Sequence, residues 1–200
     1  MPRIVDHEQR REDLAQAVWR VIRRDGVDGA SVRKVAQEAG WSSGSLRHYF
    51  ASQSELLSFA IQLVVDRIEA RIAALDSPDD PREAVEQVLC QLLPLDAERR
   101  VENVVWLAFA GRALIDPALR TRHAEIDDAL RRACTSAIGR LARAGRTRPD
   151  IDEALEAERL HALLDGLAFH AAMRPSHMSP RRIIKVVVRH LDSLDPPTRG

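Results

Sequence analysis

The chain of 200 residues is expected to fold as an all-α protein, with a three-helix helix-turn-helix domain over residues 1–50 and a six-helix domain over 51–200. Three observations predict this. Apolar residues recur at spacings of three and four along nearly the whole chain, and no run alternates with period two. Glycine and proline stand where helices would stop and restart. The composition, 45% hydrophobic and 30% charged, is that of a globular chain with a substantial core.

The first helix runs from about Glu8 to Arg24, with Leu14, Val18 and Ile22 on one stripe and Asp25-Gly26 as its stop. Ser31 N-caps a short second helix whose inner face is Val32, Val35, Ala36 and Ala39, closed by Gly40. Ser42 N-caps a third, with Leu46, Tyr49 and Phe50 turned inward. A long fourth helix, from about Ser52 to Leu75, carries Leu57, Ile61, Val64, Ile68 and Ile72, and Ser77-Pro78-Asp79-Asp80-Pro81 breaks it. Pro81 opens the fifth, with Val85, Val88, Leu89 and Leu92 inside and Pro94 at its end. The sixth holds Val101, Val104, Val105, Ala108 and Phe109 around Trp106. Asp116-Pro117 opens the seventh, which runs to Gly145. Pro149-Asp150 restarts the chain into the eighth, with Leu160, Leu163, Leu164, Leu167 and Ala171. Ser179-Pro180 opens the ninth, with Ile184, Val187, Val188 and Leu191.

Composition also bounds function. The longest apolar run, Val104 to Ala110, is too short to span a bilayer. The charged N-terminus, Met1 to Arg11, lacks the apolar segment of a secretory signal, so a cytosolic protein is expected. Thirty basic and thirty acidic residues cancel, which excludes an indiscriminate polycation but not a local basic reader. Residues 1–50 carry nine basic against seven acidic residues, and the sixteen residues from Ala39 to Ser54 carry no acid at all.

The segment from Ser31 to Phe50, SVRKVAQEAGWSSGSLRHYF, reads as two short helices joined by a tight glycine turn. In that pattern the second helix lies in the DNA major groove. Helical geometry leaves Ser42, Ser43, Gly44, Ser45, Arg47 and His48 on the outer face. Small hydroxyls reach base edges or phosphates without steric conflict, and Gly44 lets the backbone come close to the duplex. Arg47 is the candidate for a bidentate contact to guanine or a clamp on phosphate.

The pattern A-x-x-A-G-W-S-x-G-x-L-R-H-Y-F, followed by a long helix from near Ser52, resembles the DNA-binding domain of TetR-family transcriptional regulators. Nine helices in about this length, three binding DNA and six binding ligand and dimerising, is that family's architecture. Leu93-Pro94-Leu95-Asp96, Trp106-Leu107-Ala108-Phe109 and Leu164-Asp165-Gly166-Leu167-Ala168 resemble the C-terminal class of the choline-responsive betaine-pathway repressors. The resemblance implies that Ser31 and Arg33 touch the DNA backbone, that Ser43, Gly44, Ser45 and Arg47 face the groove, and that Tyr49 hydrogen-bonds a phosphate. Many members have Tyr where Arg47 stands, an aliphatic residue in place of Trp41, and a phosphate-binding Lys where this chain has Gln53. Loss of that Lys removes one expected phosphate contact.

A small organic effector needs a cavity lined by large apolar groups and a few polar ones. Phe59 and Leu63 on the fourth helix, Asn103, Trp106 and Phe109 on the sixth, and Asp165, Phe169 and Met173 on the eighth are the candidates. Trp106 suits stacking on a flat or cationic ligand, and Asp165 would balance a cation such as choline. The apolar stripes Leu160, Leu163, Leu164, Leu167, Ala171 and Ile184, Val187, Leu191 have the composition of a dimer face, and the resemblance favours a homodimer. Such a dimer would set its recognition helices about 34 Å apart on a palindromic operator. The function expected is therefore a repressor that binds double-stranded operator DNA and is released by its effector.

Two other classes compete. An all-α enzyme would centre on His161 and Asp165, four apart like His123 and Asp127; such pairs read first as surface hydrogen bonds, with no nucleophile or third ligand placed beside them. A ligand-binding module without DNA binding is the other. His7, His48, His170, His177 and His190 make no zinc spacing, and no cofactor or metal is expected. Cys90 and Cys134 read as buried thiols; Cys134, among Arg131, Arg132 and Arg140, has an oxidant sensor as its alternative.

Overall fold

A computed structural model describes residues 7–47, 49–76 and 78–196, excluding the side chains of residues 7–9, 43 and 47. Among the described residues it forms nine α-helices and no strand: α1 (His7–Asp25), α2 (Val32–Ala39), α3 (Ser43–Arg47), α4 (Gln53–Ala73), α5 (Pro81–Gln91), α6 (Ala97–Ala113), α7 (Pro117–Arg143), α8 (Glu153–Met173) and α9 (Pro180–Asp192).

Local chemistry sets most of these limits. Ser31 Oγ accepts from the Lys34 amide at 3.3 Å, and Gly40, with φ 69°, closes α2 so that the Trp41 amide reaches back to the Ala36 carbonyl at 2.9 Å. Asp80, Asp116 and Ser179 cap α5, α7 and α9 immediately before a proline at the first helical position. Two starts differ from expectation because a carboxylate elsewhere provides the cap. Asp96 accepts from the Arg99 amide at 2.8 Å and begins α6 ahead of Val101; Asp152 accepts from the Leu155 amide at 3.1 Å and begins α8 after Pro149-Asp150.

α3 also ends early, at Arg47, and that corrects one expectation. Tyr49 does not turn inward: it is 41% exposed, its ring tilted against Trp41 at 5.5 Å, because the helical periodicity that put it beside Leu46 stops two residues before it. Leu46 and Phe50 are buried as expected.

The chain divides into two compact units, Met1–Asp66 with Val104–Thr121, and Arg67–Asn103 with Arg122–Gly200. In the first, Leu14, Val18 and Ile22 of α1 are buried together with Val35 and Ala36 of α2, Leu46 of α3, and Leu56, Ile61 and Val64 of α4. In the second, Val85 and Leu89 of α5, Ile138 and Leu141 of α7, Leu160, Leu164, Leu167 and Ala171 of α8, and Val187 and Leu191 of α9 make one core. The leucines of α8 that were expected on a dimer face are thus interior, as are Val187 and Leu191. Four helices sharing one core need apolar surface on the side of α8 that faces inward, and this is it.

Candidate nucleic-acid interface

The head is built around an ion-paired lock between α1 and α2. Arg20 Nε donates to Glu38 Oε1 at 2.7 Å, Arg24 Nη1 to Glu38 Oε2 at 2.7 Å, and Lys34 Nζ to Asp25 Oδ2 at 2.9 Å. Hydrogen bonds from Arg24 and then Lys34 hold the Asp25 carboxyl down at about 2, and those from Arg20 and Arg24 lower Glu38. Three cations of the head are therefore committed to its own acids. Arg33 is exposed and stands outside this lock.

On α3, Ser42 Oγ accepts from the Ser45 amide at 3.1 Å and lies 2.8 Å from Ser45 Oγ, so one hydroxyl caps the helix while both stay exposed. Gly44 is exposed, its φ is not positive, and a Cβ built there would meet nothing closer than Ser42 Oγ at 3.8 Å. Among the described residues nothing requires a glycine there. His48 and the side chains of Ser43 and Arg47 lie outside the described residues. Gln53, expected at the DNA interface, donates through Nε2 to the Ala30 carbonyl at 2.5 Å and braces the turn between α1 and α2.

One residue beyond Gln53 lies a contact that sequence reasoning missed. Ser54 Oγ donates to Asp116 Oδ2, and this bond, more than the cap to Ala118, lowers the Asp116 carboxyl. The first turn of α4 is thereby tied on one side to the α1–α2 turn and on the other to the start of α7. Between these ties lies a cleft of about 420 Å³ lined by Val27, Asp28, Gln53, Leu57, Arg112 and Ile115 among others. Only the N-cap role of Asp116 was visible in the sequence, since a bond across 62 positions leaves no local trace.

The residues expected to bind an effector are distributed over both units. In the first, Phe59 packs edge-on against Phe50 at 5.1 Å, Leu63 is half-buried, and Trp106 lies 6.3 Å from the fully buried Phe109. In the second, the buried Asn103 donates through Nδ2 to the Ala168 carbonyl at 2.8 Å, and Phe169 and Met173 stand on the outer side of α8, both at least half exposed. Asp165 is raised, chiefly by burial, and sits with His161 and Asp127. Here the sequence misled: the His161–Asp165 pair was expected to have no third ligand, whereas α7 brings Asp127 to it. Cys134 is also corrected as a sensor candidate. It is buried, and desolvation, then the charge of Asp165, pushes its thiol up to about 12, away from the thiolate that an oxidant would attack.

A helix-turn-helix head on an all-helical second unit defines a class, the one-component DNA-binding regulator. Residues 14–58 match the family described as bacterial regulatory proteins of the tetR family, and residues 81–196 match the BetI-type transcriptional repressor C-terminal family. The chain belongs to the TetR family of transcriptional regulators, with a BetI-type C-terminal domain. The HTH-type transcriptional regulator PksA of Bacillus subtilis is 39% identical over 198 residues, covering 97% of this chain and 94% of that protein. A transcriptional regulator from Rhodococcus sp. Rha1 has a solved structure with a TM-score of 0.77 at 32% identity, covering 92% of this chain and 95% of that one. The multidrug binding protein EbrR, solved in complex with ethidium, is 25% identical with a TM-score of 0.65, over 90% of this chain and 98% of its own. Among the described residues no helix is long and apolar enough to cross a membrane.

Proposed function

We propose that the protein is a homodimeric cytosolic repressor that grips a palindromic operator through α2 and α3 and lets go when its helical domain binds a small organic effector. The single observation that carries the DNA reading is the outer face of α3. It is acid-free, capped by its own hydroxyls, and holds at Gly44 a glycine that no described residue requires. A surface of that kind is made for close approach by an external backbone. Ser31, Arg33 and Tyr49 are assigned to phosphates, and Ser42, Ser43, Gly44, Ser45, Arg47 and His48 to the groove. Gln53 serves the interface indirectly, by fixing the turn ahead of α2.

The effector class we assign is a small organic cation. The BetI-type match supports this, as does ethidium in EbrR, itself an organic cation; in this chain the half-buried Trp106 offers a ring face for it. Release follows if the effector prefers a conformation in which the recognition helices no longer match the half-site spacing, because a ligand indifferent between states shifts nothing. The route within the first unit is short: a shift at the start of α7 reaches α4 through Asp116 and Ser54, and the α1–α2 turn through Gln53.

Dimerisation is supported by what α8 leaves outside. Leu155, Ala162, Gly166, Phe169 and Met173 recur at seven-, four- and three-residue spacings along the side opposite the core, joined by Ile184 of α9, and several are exposed apolar side chains. Two such seams brought together form a four-helix bundle.

Electrophoretic mobility shift against DNA from upstream of the protein's own coding region tests the reading. The wild type is expected to bind with a steep salt dependence, Arg47→Ala to lose specific binding while keeping its helicity and mass, and a quaternary ammonium effector to release the wild type. Unchanged footprinting by Arg47→Ala would remove α3 from the interface.

A further inference from the structure

Helix α7 carries His123 and Asp127 four residues apart, and α8 carries His161 and Asp165 four residues apart. Their facing sides meet within the second unit. His161 Nε2 lies 3.4 Å from Asp127 Oδ1 and 3.6 Å from Asp165 Oδ2, and one ligand atom from each of the three falls within 4.8 Å of the others. The His161 side chain is only 8% exposed, and its Nε2 is buried without a hydrogen-bond partner. A buried ring nitrogen aimed at two carboxylates that it does not bond is costly on its own.

The spacing suggests what resolves that cost. Bonds of about 2.1 Å to a tetrahedral ion separate neighbouring ligand atoms by about 3.4 Å, which is how far His161 stands from its two acids. Second-shell geometry agrees. Arg131 Nη2 holds Asp127 Oδ2 at 3.2 Å, which leaves Oδ1 facing His161. Asp165 keeps 48% of its side chain in solvent and so provides an entry path.

We propose that Asp127, His161 and Asp165 bind a divalent first-row transition-metal ion of the zinc class, with solvent completing its coordination, and clamp α7 to α8. A mixed imidazole and carboxylate set suits Zn²⁺ and its neighbours better than Ca²⁺ or Mg²⁺, which take all-oxygen ligands. The site is independent of the DNA reading, and its failure would leave that reading untouched.

The test uses untagged full-length protein stripped with a chelator and titrated with Zn²⁺ against a chromophoric competitor, and with Co²⁺ followed by visible absorption. One equivalent per chain is expected. Asp127→Asn and Asp165→Asn, near-isosteric and checked for helicity, should each weaken binding by at least about tenfold, since even loss of an outer-shell partner costs about 10- to 100-fold. His177→Ala, an exposed histidine outside the cluster, should bind as the wild type does. Absence of stoichiometric binding, or full affinity in both Asn variants, would overturn the proposal.

Discussion

Gly29 and Gly44 sit in the same head and answer to different constraints. A Cβ on Gly29 would stand 2.2 Å from the Asp25 backbone oxygen, which no side-chain rotation relieves, so Gly29→Ala should cost about 1–3 kcal/mol in urea denaturation. At Gly44 the space is open, and Gly44→Ala should raise stability by about 0.5 kcal/mol through the unfolded chain. The same change should weaken operator binding by about tenfold if DNA is what comes close. Equal operator affinity in Gly44→Ala would undo the argument for that face. Both glycines are plain in the sequence, but only coordinates tell a glycine the fold needs from one it does not. Tyr49 makes a similar point: its helical position was inferred from spacing, and the early end of α3 changed its surroundings.

Between elements, a bidentate ion pair in the second unit joins the end of α4 to α6. Glu102 is buried, and both its oxygens accept from Arg71 at 2.7 Å, while Arg71 Nη2 also reaches the Gln91 carbonyl at the end of α5. Removing only the cation would strand a buried carboxylate. Arg71→Met should therefore lose about 3 kcal/mol, and Arg71→Met with Glu102→Leu should recover most of it, because an apolar pair is often as stable as a buried ion pair. A double variant no better than the single one would count against this account. On α9, His190 has a buried Nε2 without a hydrogen-bond partner, and burial, aided by Arg159, lowers its pKa from the usual 6.5. The unfolded chain thus takes up the proton first. This histidine's contribution is fully present above about pH 6.5 and is lost as the pH falls through the lowered folded value. Denaturation midpoints at pH 7.5 and 5.5 should differ more for the wild type than for His190→Gln, and equal differences would contradict it. Helices and caps were readable because both are local: Ser31, Asp80 and Ser179 bond amides two or three residues away. The partners of Glu102 and Asn103, 31 and 65 positions distant, were not.

For the molecule as a whole, the outer seam of α8 carries the oligomeric prediction. Phe169 and Met173 are 50% and 64% exposed, so Phe169→Glu with Met173→Glu should fold normally and raise the dimer dissociation constant at least about a hundredfold, read as mass by light scattering. An unchanged mass would move the interface elsewhere. On the proposed dimer, two of the residues expected to line an effector site would face the partner instead. The reason sequence could not separate these roles lies in α8 itself, which is apolar on two sides. Periodicity shows that such a helix has stripes, and only packing decides which stripe meets the core. What the sequence determined alone was the all-helical class, the turn and caps of the DNA-reading motif, and the membership those residues imply, all encoded within a few positions. The tertiary structure alone decided which leucines are interior, that Ser54 meets Asp116, and that Asp127 meets His161 and Asp165. Those are contacts between elements, and a helical repeat names a face without naming what it touches.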